Sequence, residues 1–310
     1  MKLIFMVAGI VVTFVAGAEA IARYGIGLGT PPLSMPHPAV EYIFQPDQDV
    51  SRFGNRQLYN AHSMRSPDLP DPSQEGIVLV MGDSVLNGGN LTSHADLATS
   101  IASERDSERF YANVSAGSWG PGNLRGYLDT YGTFGAEAVI IVFNGGDVQD
   151  IPEYGPLDPA THPQERPIWA VGEGLVRYAP RYLPEPFAGW LRPQPVPNTY
   201  PKPANMPDGI METQRMLDRF ANEGIAACFV LHRSRDKMPD SDDVGLARFR
   251  DLAQAVSVPT LETRPAFDAT GQNISMFYRD PIHITVQGQA VLADLLLTCR
   301  DLASVPKPGG

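Results

Sequence analysis

The chain has 310 residues, 43% of them hydrophobic and 19% charged, with a formal net charge of -11 and a pI near 5.0. That is enough apolar material for one substantial core and too much for a disordered chain. The acidic balance argues against nucleic acid and anionic membrane surfaces as partners, because both are bound by clustered positive charge.

Residues 3–18 are uncharged and follow the lone Lys2, the pattern of a positively charged start and an apolar export segment. The chain is therefore expected to leave the cytoplasm. Residues 1–22 read as a retained membrane anchor in preference to a cleaved signal peptide, for which Ala18-Glu19-Ala20 would be the cleavage pattern. Lys2 would hold the N-terminus inside and place the rest of a tethered chain on the outer face, in the periplasm; cleavage would release it as a secreted protein. Residues 23–75 read as an irregular lead-in without a core of its own, broken by Pro31, Pro32, Pro36, Pro38, Pro46, Pro70 and Pro72.

From residue 76 onward, apolar runs alternate with amphipathic segments. Strands are expected at 77–81, 110–114 and 138–143, and helices at 95–105 and 123–134. Prolines at short intervals then interrupt the rhythm over 151–208, a stretch too long for an ordinary connection and holding Trp169, Tyr178, Tyr182 and Trp190. It reads either as a surface insertion packed by its own aromatics or as a cover over a site. The alternation resumes with helices at 210–222, 242–255 and 286–302 and strands at 225–231 and 259–261. Such a succession implies an α/β fold in three layers, a central parallel sheet with helices on both faces. Cys228 lies in a strand-like run and Cys299 in the last helix, and two separate buried thiols are expected in preference to a bridge.

Val78-Leu79-Val80-Met81-Gly82-Asp83-Ser84 is an apolar strand ending in a turn with a hydroxyl at its tip. In a parallel α/β sheet ligands sit beyond the carboxyl ends of the strands, so a nucleophile belongs there. Alone, Gly-Asp-Ser is equally an ordinary turn and helix cap. Asp280-Pro-Ile-His283, ahead of the last helix, supplies a base within one turn of a carboxylate that can orient it. Histidines 37, 62, 94, 162 and 232 show no metal-ligand spacing.

On these residues the chain resembles the SGNH (GDSL-type) hydrolases, especially their bacterial membrane-anchored members, over residues 76–303. The family's Gly-Asp-Ser-Leu stands here as Gly82-Asp83-Ser84-Val85, and its Asp-x-x-His is intact as Asp280-Pro281-Ile282-His283. The resemblance implies a flavodoxin-like sheet, Ser84 as nucleophile, His283 as base, Asp280 as its orienting group, and neither cofactor nor metal. Two further family blocks, which supply the oxyanion hole, depart from pattern. Ser118 stands at the second glycine of Asn-x-Gly-x-x-Gly, where its N–H serves if φ stays negative. The third block reads Asn144-Gly145-Gly146-Asp147, so Asn144 is either a displaced donor or a turn residue. The expected oxyanion hole is thus Ser84, Ser118 and Asn144. The implied activity is hydrolysis of an ester of a small molecule or glycan, O-acetyl groups above all. Acyl transfer to a polysaccharide and a non-catalytic carbohydrate-binding role remain alternatives, and protein partners stay open.

Overall fold

The computed structural model describes residues 1–71, 76–202, 207–235 and 241–304. Pro72 of the lead-in and residues 203–206 of the insertion lie outside them. The chain opens with helix α1 (Lys2–Ala20), which continues through a wider turn over Ile21–Ile26. Together they form one helical stretch long and apolar enough to cross a membrane, with none of its apolar window buried by the rest of the chain. Nineteen residues in α1 at about 1.5 Å each span close to the ~30 Å of a bilayer core.

The lead-in holds more regular structure than its prolines suggest. Strands β1 (Ser34–His37) and β2 (Glu41–Phe44) pair as one antiparallel hairpin, and β3 (Gln48–Arg52) and β4 (Asn55–Tyr59) as another. A two-stranded sheet is all edge, which is where Pro36 can sit without breaking a ladder. Val40, Tyr42, Ile43 and Met64 of this segment join the main core, so it adds to that core without making a second one.

The central sheet has five parallel strands: β5 (Gly76–Gly82), β6 (Arg109–Ser115), β7 (Ala138–Asn144), β8 (Ala226–His232) and β9 (Thr260–Glu262), in spatial order β6-β5-β7-β8-β9. In chain order this is 2-1-3-4-5, the flavodoxin-like arrangement, which reverses direction between β5 and β7. Helices alternate with the strands: α2 (Ser84–Asn87), α3 (Ala98–Arg105), α4 (Pro121–Tyr131), α5 (Ala170–Arg177) and α6 (Phe187–Leu191) within the insertion, α7 (Gly209–Glu223), α8 (Ser241–Ala255), α9 (Thr263–Ala269) and α10 (Val286–Ser304).

Both sheet faces are covered, and the period of two in each strand sorts residues between them. Ile77, Leu79 and Met81 pack with Leu124, Met216 and Phe249 of α4, α7 and α8. Their neighbours Val78 and Val80 face Ala98, Phe267, Leu292 and Leu296 of α3, α9 and α10. A strand buried on both faces reads as an unbroken apolar run, which explains why β5, β7 and β8 were legible.

The expectation of two separate thiols is overturned. Cys228 on β8 and Cys299 on α10 form a disulfide, with Cα atoms 5.8 Å apart. Both were expected to be buried and both are; the face of β8 that carries Cys228 is the one α10 crosses, a meeting no single element's pattern encodes.

Candidate active site

The turn after β5 is built for close approach. A Cβ on Gly82 would lie 3.0 Å from the Val142 carbonyl oxygen and 3.3 Å from Leu86, so glycine lets the chain pass between β7 and α2. Asp83 caps α2, its Oδ1 accepting the Val85 N–H at 2.8 Å. Ser84 follows as the first residue of α2, half-buried at the carboxyl edge of the sheet beside the point where strand order reverses.

His283 arrives from 199 residues away. Its loop is closed by the Tyr278 and Ile284 bridge and by the Arg279 N–H donating to the His283 carbonyl. Asp280 Oδ1 accepts the backbone N–H of Ile282 at 3.0 Å and of His283 at 2.7 Å, which leaves Oδ2 to accept from His283 Nδ1 at 2.7 Å. Burial alone would raise the Asp280 carboxyl, but the bonds from His283 and Ile282 outweigh it and hold the group below the usual carboxylate range. An ionised Asp280 accepts only, so Nδ1 carries the proton and Nε2 is the acceptor facing Ser84 Oγ at 3.0 Å. Ser84, His283 and Asp280 therefore lie within hydrogen-bond reach of one another.

Sequence reasoning passed over a support for this loop. His232 ends β8 fully buried; its Nε2 lies 2.8 Å from the Ile282 carbonyl and its Nδ1 3.0 Å from Thr263 Oγ1. A carbonyl only accepts, so Nε2–H donates to Ile282 and Nδ1 accepts from Thr263. A lone histidine in an apolar strand carries no signal for such a role.

The expected oxyanion residues divide. Ser118 lines the pocket, but with φ at +55°, not the negative value expected. A serine in the left-handed region costs about 1 kcal/mol or more, so the surroundings must hold it. One tie is next door, where the Tyr42 hydroxyl donates to the Gly117 carbonyl at 2.5 Å. The N–H groups of Ser84 and Ser118 engage no acceptor among the described residues.

Asn144 does not meet the expectation of a displaced donor. Its Nδ2 donates to Asp83 Oδ2 at 2.8 Å and to Asp147 Oδ1 at 2.7 Å, and its Oδ1 accepts from the Gly146 N–H. Both amide hydrogens are thereby committed to two buried carboxyls, and Asn144 does not line the pocket. Burial pushes the Asp83 and Asp147 carboxyls up, Asp147 well above the usual range with the Asp83 charge nearby adding to it.

The pocket over Ser84 encloses about 500 Å³. Its walls come from segments far apart in the chain. The lead-in supplies Tyr42, Phe44, Gln57 and Tyr59, the insertion Thr161, His162 and Arg177, and the last loop Arg279 beside His283. The insertion thus contributes to the site, while its large aromatics Trp169, Tyr182, Phe187 and Trp190 stand exposed and do not form a core of their own. Among the described residues no group of three or more His, Cys, Asp or Glu side chains is placed to share a metal ion.

No known family profile and no curated protein matches the chain. Solved structures give likenesses at low identity. They include a member of the lipolytic protein G-D-S-L family from Veillonella parvula (10% identity, 72% of this chain and 96% of that one, TM-score 0.42). An acetyl xylan esterase (11% identity, 72% and 98%, TM-score 0.44) is another, and a GDSL-like lipase from Bacteroides thetaiotaomicron (13% identity, 76% and 93%, TM-score 0.44) a third. Likenesses of this size leave the chemistry to be argued from the site itself.

Proposed function

We propose that the chain is an exported, membrane-tethered serine esterase of the SGNH type, and that Ser84, His283 and Asp280 are its catalytic group. The observation that carries this reading is the unbroken relay of Asp280 Oδ2, His283 and Ser84 Oγ at 2.7 and 3.0 Å, opening into a pocket at the carboxyl edge of a parallel sheet. The motifs Gly82-Asp83-Ser84-Val85 and Asp280-x-x-His283 and the 2-1-3-4-5 strand order support family membership from the same chain.

In the mechanism, Ser84 Oγ attacks the acyl carbon as its proton passes to His283 Nε2. The carbonyl electron pair moves onto oxygen, where the Ser84 and Ser118 N–H groups are the available donors. Collapse expels the alcohol, which takes the proton from His283 and leaves an acyl-Ser84 ester. A water, or a sugar hydroxyl in a transferase, then attacks with His283 as base and regenerates Ser84. Asp280 stabilises the imidazolium at each stage without taking its proton.

Aromatic faces from Tyr42, Phe44 and Tyr59 beside the amides of Gln57, Asn87 and Asn90 favour a polar, ring-shaped alcohol such as a sugar. Export is supported by α1 together with the Cys228–Cys299 disulfide, which persists in oxidising compartments.

The deciding experiment is hydrolysis of an activated acetyl ester combined with labelling by a fluorophosphonate. Wild-type protein should turn over the ester and label; Ser84→Ala should do neither while keeping its fold, because the half-buried hydroxyl adds little packing. Residual activity above roughly one tenth of wild type in a folded Ser84→Ala protein would refute the assignment.

A further inference from the structure

The lining of this pocket is one-sided in charge. Arg177 and Arg279 line it, and no Asp or Glu does so among the described residues. Arg279 donates to the Gly88 carbonyl at 3.1 Å and to Thr92 Oγ1 at 3.5 Å, both neutral acceptors. The adjacent carboxylate, Asp280, is committed to His283. Arg177 reaches Glu173 only at 3.4 Å, because that carboxylate is already held by Arg52 at 2.5 Å and by the Gly29 N–H at 2.5 Å.

Behind the wall lies Arg65, fully buried with its guanidinium over the ring of the pocket residue Tyr59 at 5.2 Å. Its Nη2 donates to the Thr92 carbonyl at 3.1 Å, while Nε and Nη1 have no partner and no carboxylate pairs with it among the described residues. Glu173 is thus taken by Arg52 and Asp280 by His283, and among the described residues neither Arg177 nor Arg279 has a carboxylate nearer than 3.4 Å. Burial depresses the pKa of Arg65, Arg177 and Arg279, the direction expected of cations that lack compensation. Leaving a buried charge unpaired costs several kcal/mol in typical cases, and a cleft lined by one sign of charge concentrates ligands of the other.

We propose that the pocket takes esters of an anionic alcohol, whose carboxylate or phosphate group is held by Arg279 and Arg177 while Ser84 attacks the acyl carbon. This rests on the esterase reading above for the attack, but not for the binding. A planar guanidinium matches either anion with two parallel hydrogen bonds, so carboxylate and phosphate share the recognition chemistry.

The test compares mono-O-acetylated glucuronic acid, its methyl ester and mono-O-acetylated glucose 6-phosphate. In wild-type protein the acid, the phosphate or both should exceed the methyl ester at least ten-fold in kcat/KM at low salt, and the advantage should shrink toward 1 M salt. Which anion leads identifies the source as a uronate or a phosphorylated alcohol. Arg279→Gln should collapse the acid-to-methyl-ester ratio and Arg279→Lys should restore part of it. The readout is a ratio, so a general loss of rate does not move it. Wild-type rates on the acid and on the phosphate that both equal the rate on the methyl ester, or a ratio of the preferred anion to the methyl ester unchanged by Arg279→Gln, would overturn the anion site.

Binding of the same compounds to folded Ser84→Ala protein, by calorimetry, separates the two readings. Selective binding of the anionic compounds with no turnover by wild type would sink the esterase and keep the anion site. Turnover of neutral esters with no such selectivity would do the reverse.

Discussion

Asn144 shows how one residue can sit at the right address for one task and perform another. Its amide bridges Asp83, which caps α2, to Asp147 in the turn after β7. Asn144→Ala would leave two buried carboxyls without that donor, a loss of about 1–3 kcal/mol in stability. Because both carboxyls are raised in the folded state, their contribution is present below the ordinary carboxylate range and is lost as pH rises through the raised values. The melting temperature of wild type should accordingly fall as pH rises above the ordinary carboxylate range, and less so in Asp147→Asn; parallel curves for the two proteins would show that the pair does not contribute. For the relay itself the expectation is graded. His283→Ala should cost nearly as much as Ser84→Ala, on the order of 10⁶ in kcat, and Asp280→Asn on the order of 10⁴, since the carboxylate orients and stabilises without reacting. Rates within a few-fold of wild type for both would mean that another base operates.

Among the elements, β8 and α10 are tied covalently. Besides Cys228–Cys299, residues Leu292 and Leu296 of α10 share a core cluster with Val230, and β8 ends at His232, which supports the Ile282 carbonyl in the loop that carries His283. The bridge closes a loop with a sequence separation of 71, worth about 4 kcal/mol in the chain-entropy account. Reduction, or Cys228→Ser, should lower the melting temperature by on the order of 10 °C. Thiol titration of the unfolded, unreduced protein checks the premise: two reactive thiols there would contradict the bridge.

The whole molecule joins its apolar helix to the insertion without a flexible leash. Glu19 accepts the N–H groups of Ala170 and Val171 at 2.9 and 3.1 Å, capping α5, and Arg23 donates to the Ile168 carbonyl at 2.9 Å. Arg52 and Glu173, a buried ion pair, lock α5 in turn to β3. Glu19 lies inside the Ala18-Glu19-Ala20 cleavage pattern, so cutting after Ala20 would remove the cap from α5. Retention of α1 follows as the expectation, and the protein should stay with membranes through a carbonate wash. Recovery of soluble protein beginning at Ile21 would establish cleavage instead.

The sequence by itself determined the layered parallel fold, because strands buried on both faces read as continuous apolar runs and amphipathic helices between them leave few topologies. It also singled out Ser84, Asp280 and His283 as candidates, since a strand-end hydroxyl and an acid-base pair within one turn are local patterns. It could not disclose the hairpins at 34–59, whose short edge strands tolerate prolines, nor the two extra short helices of the insertion. The partners of Asn144, the positive φ of Ser118, the Cys228–Cys299 contact and the guanidiniums around the pocket were decided by tertiary structure alone. Each depends on which residues, distant in the chain, a packed core brings within a few ångströms, and no periodicity along one element records that distance.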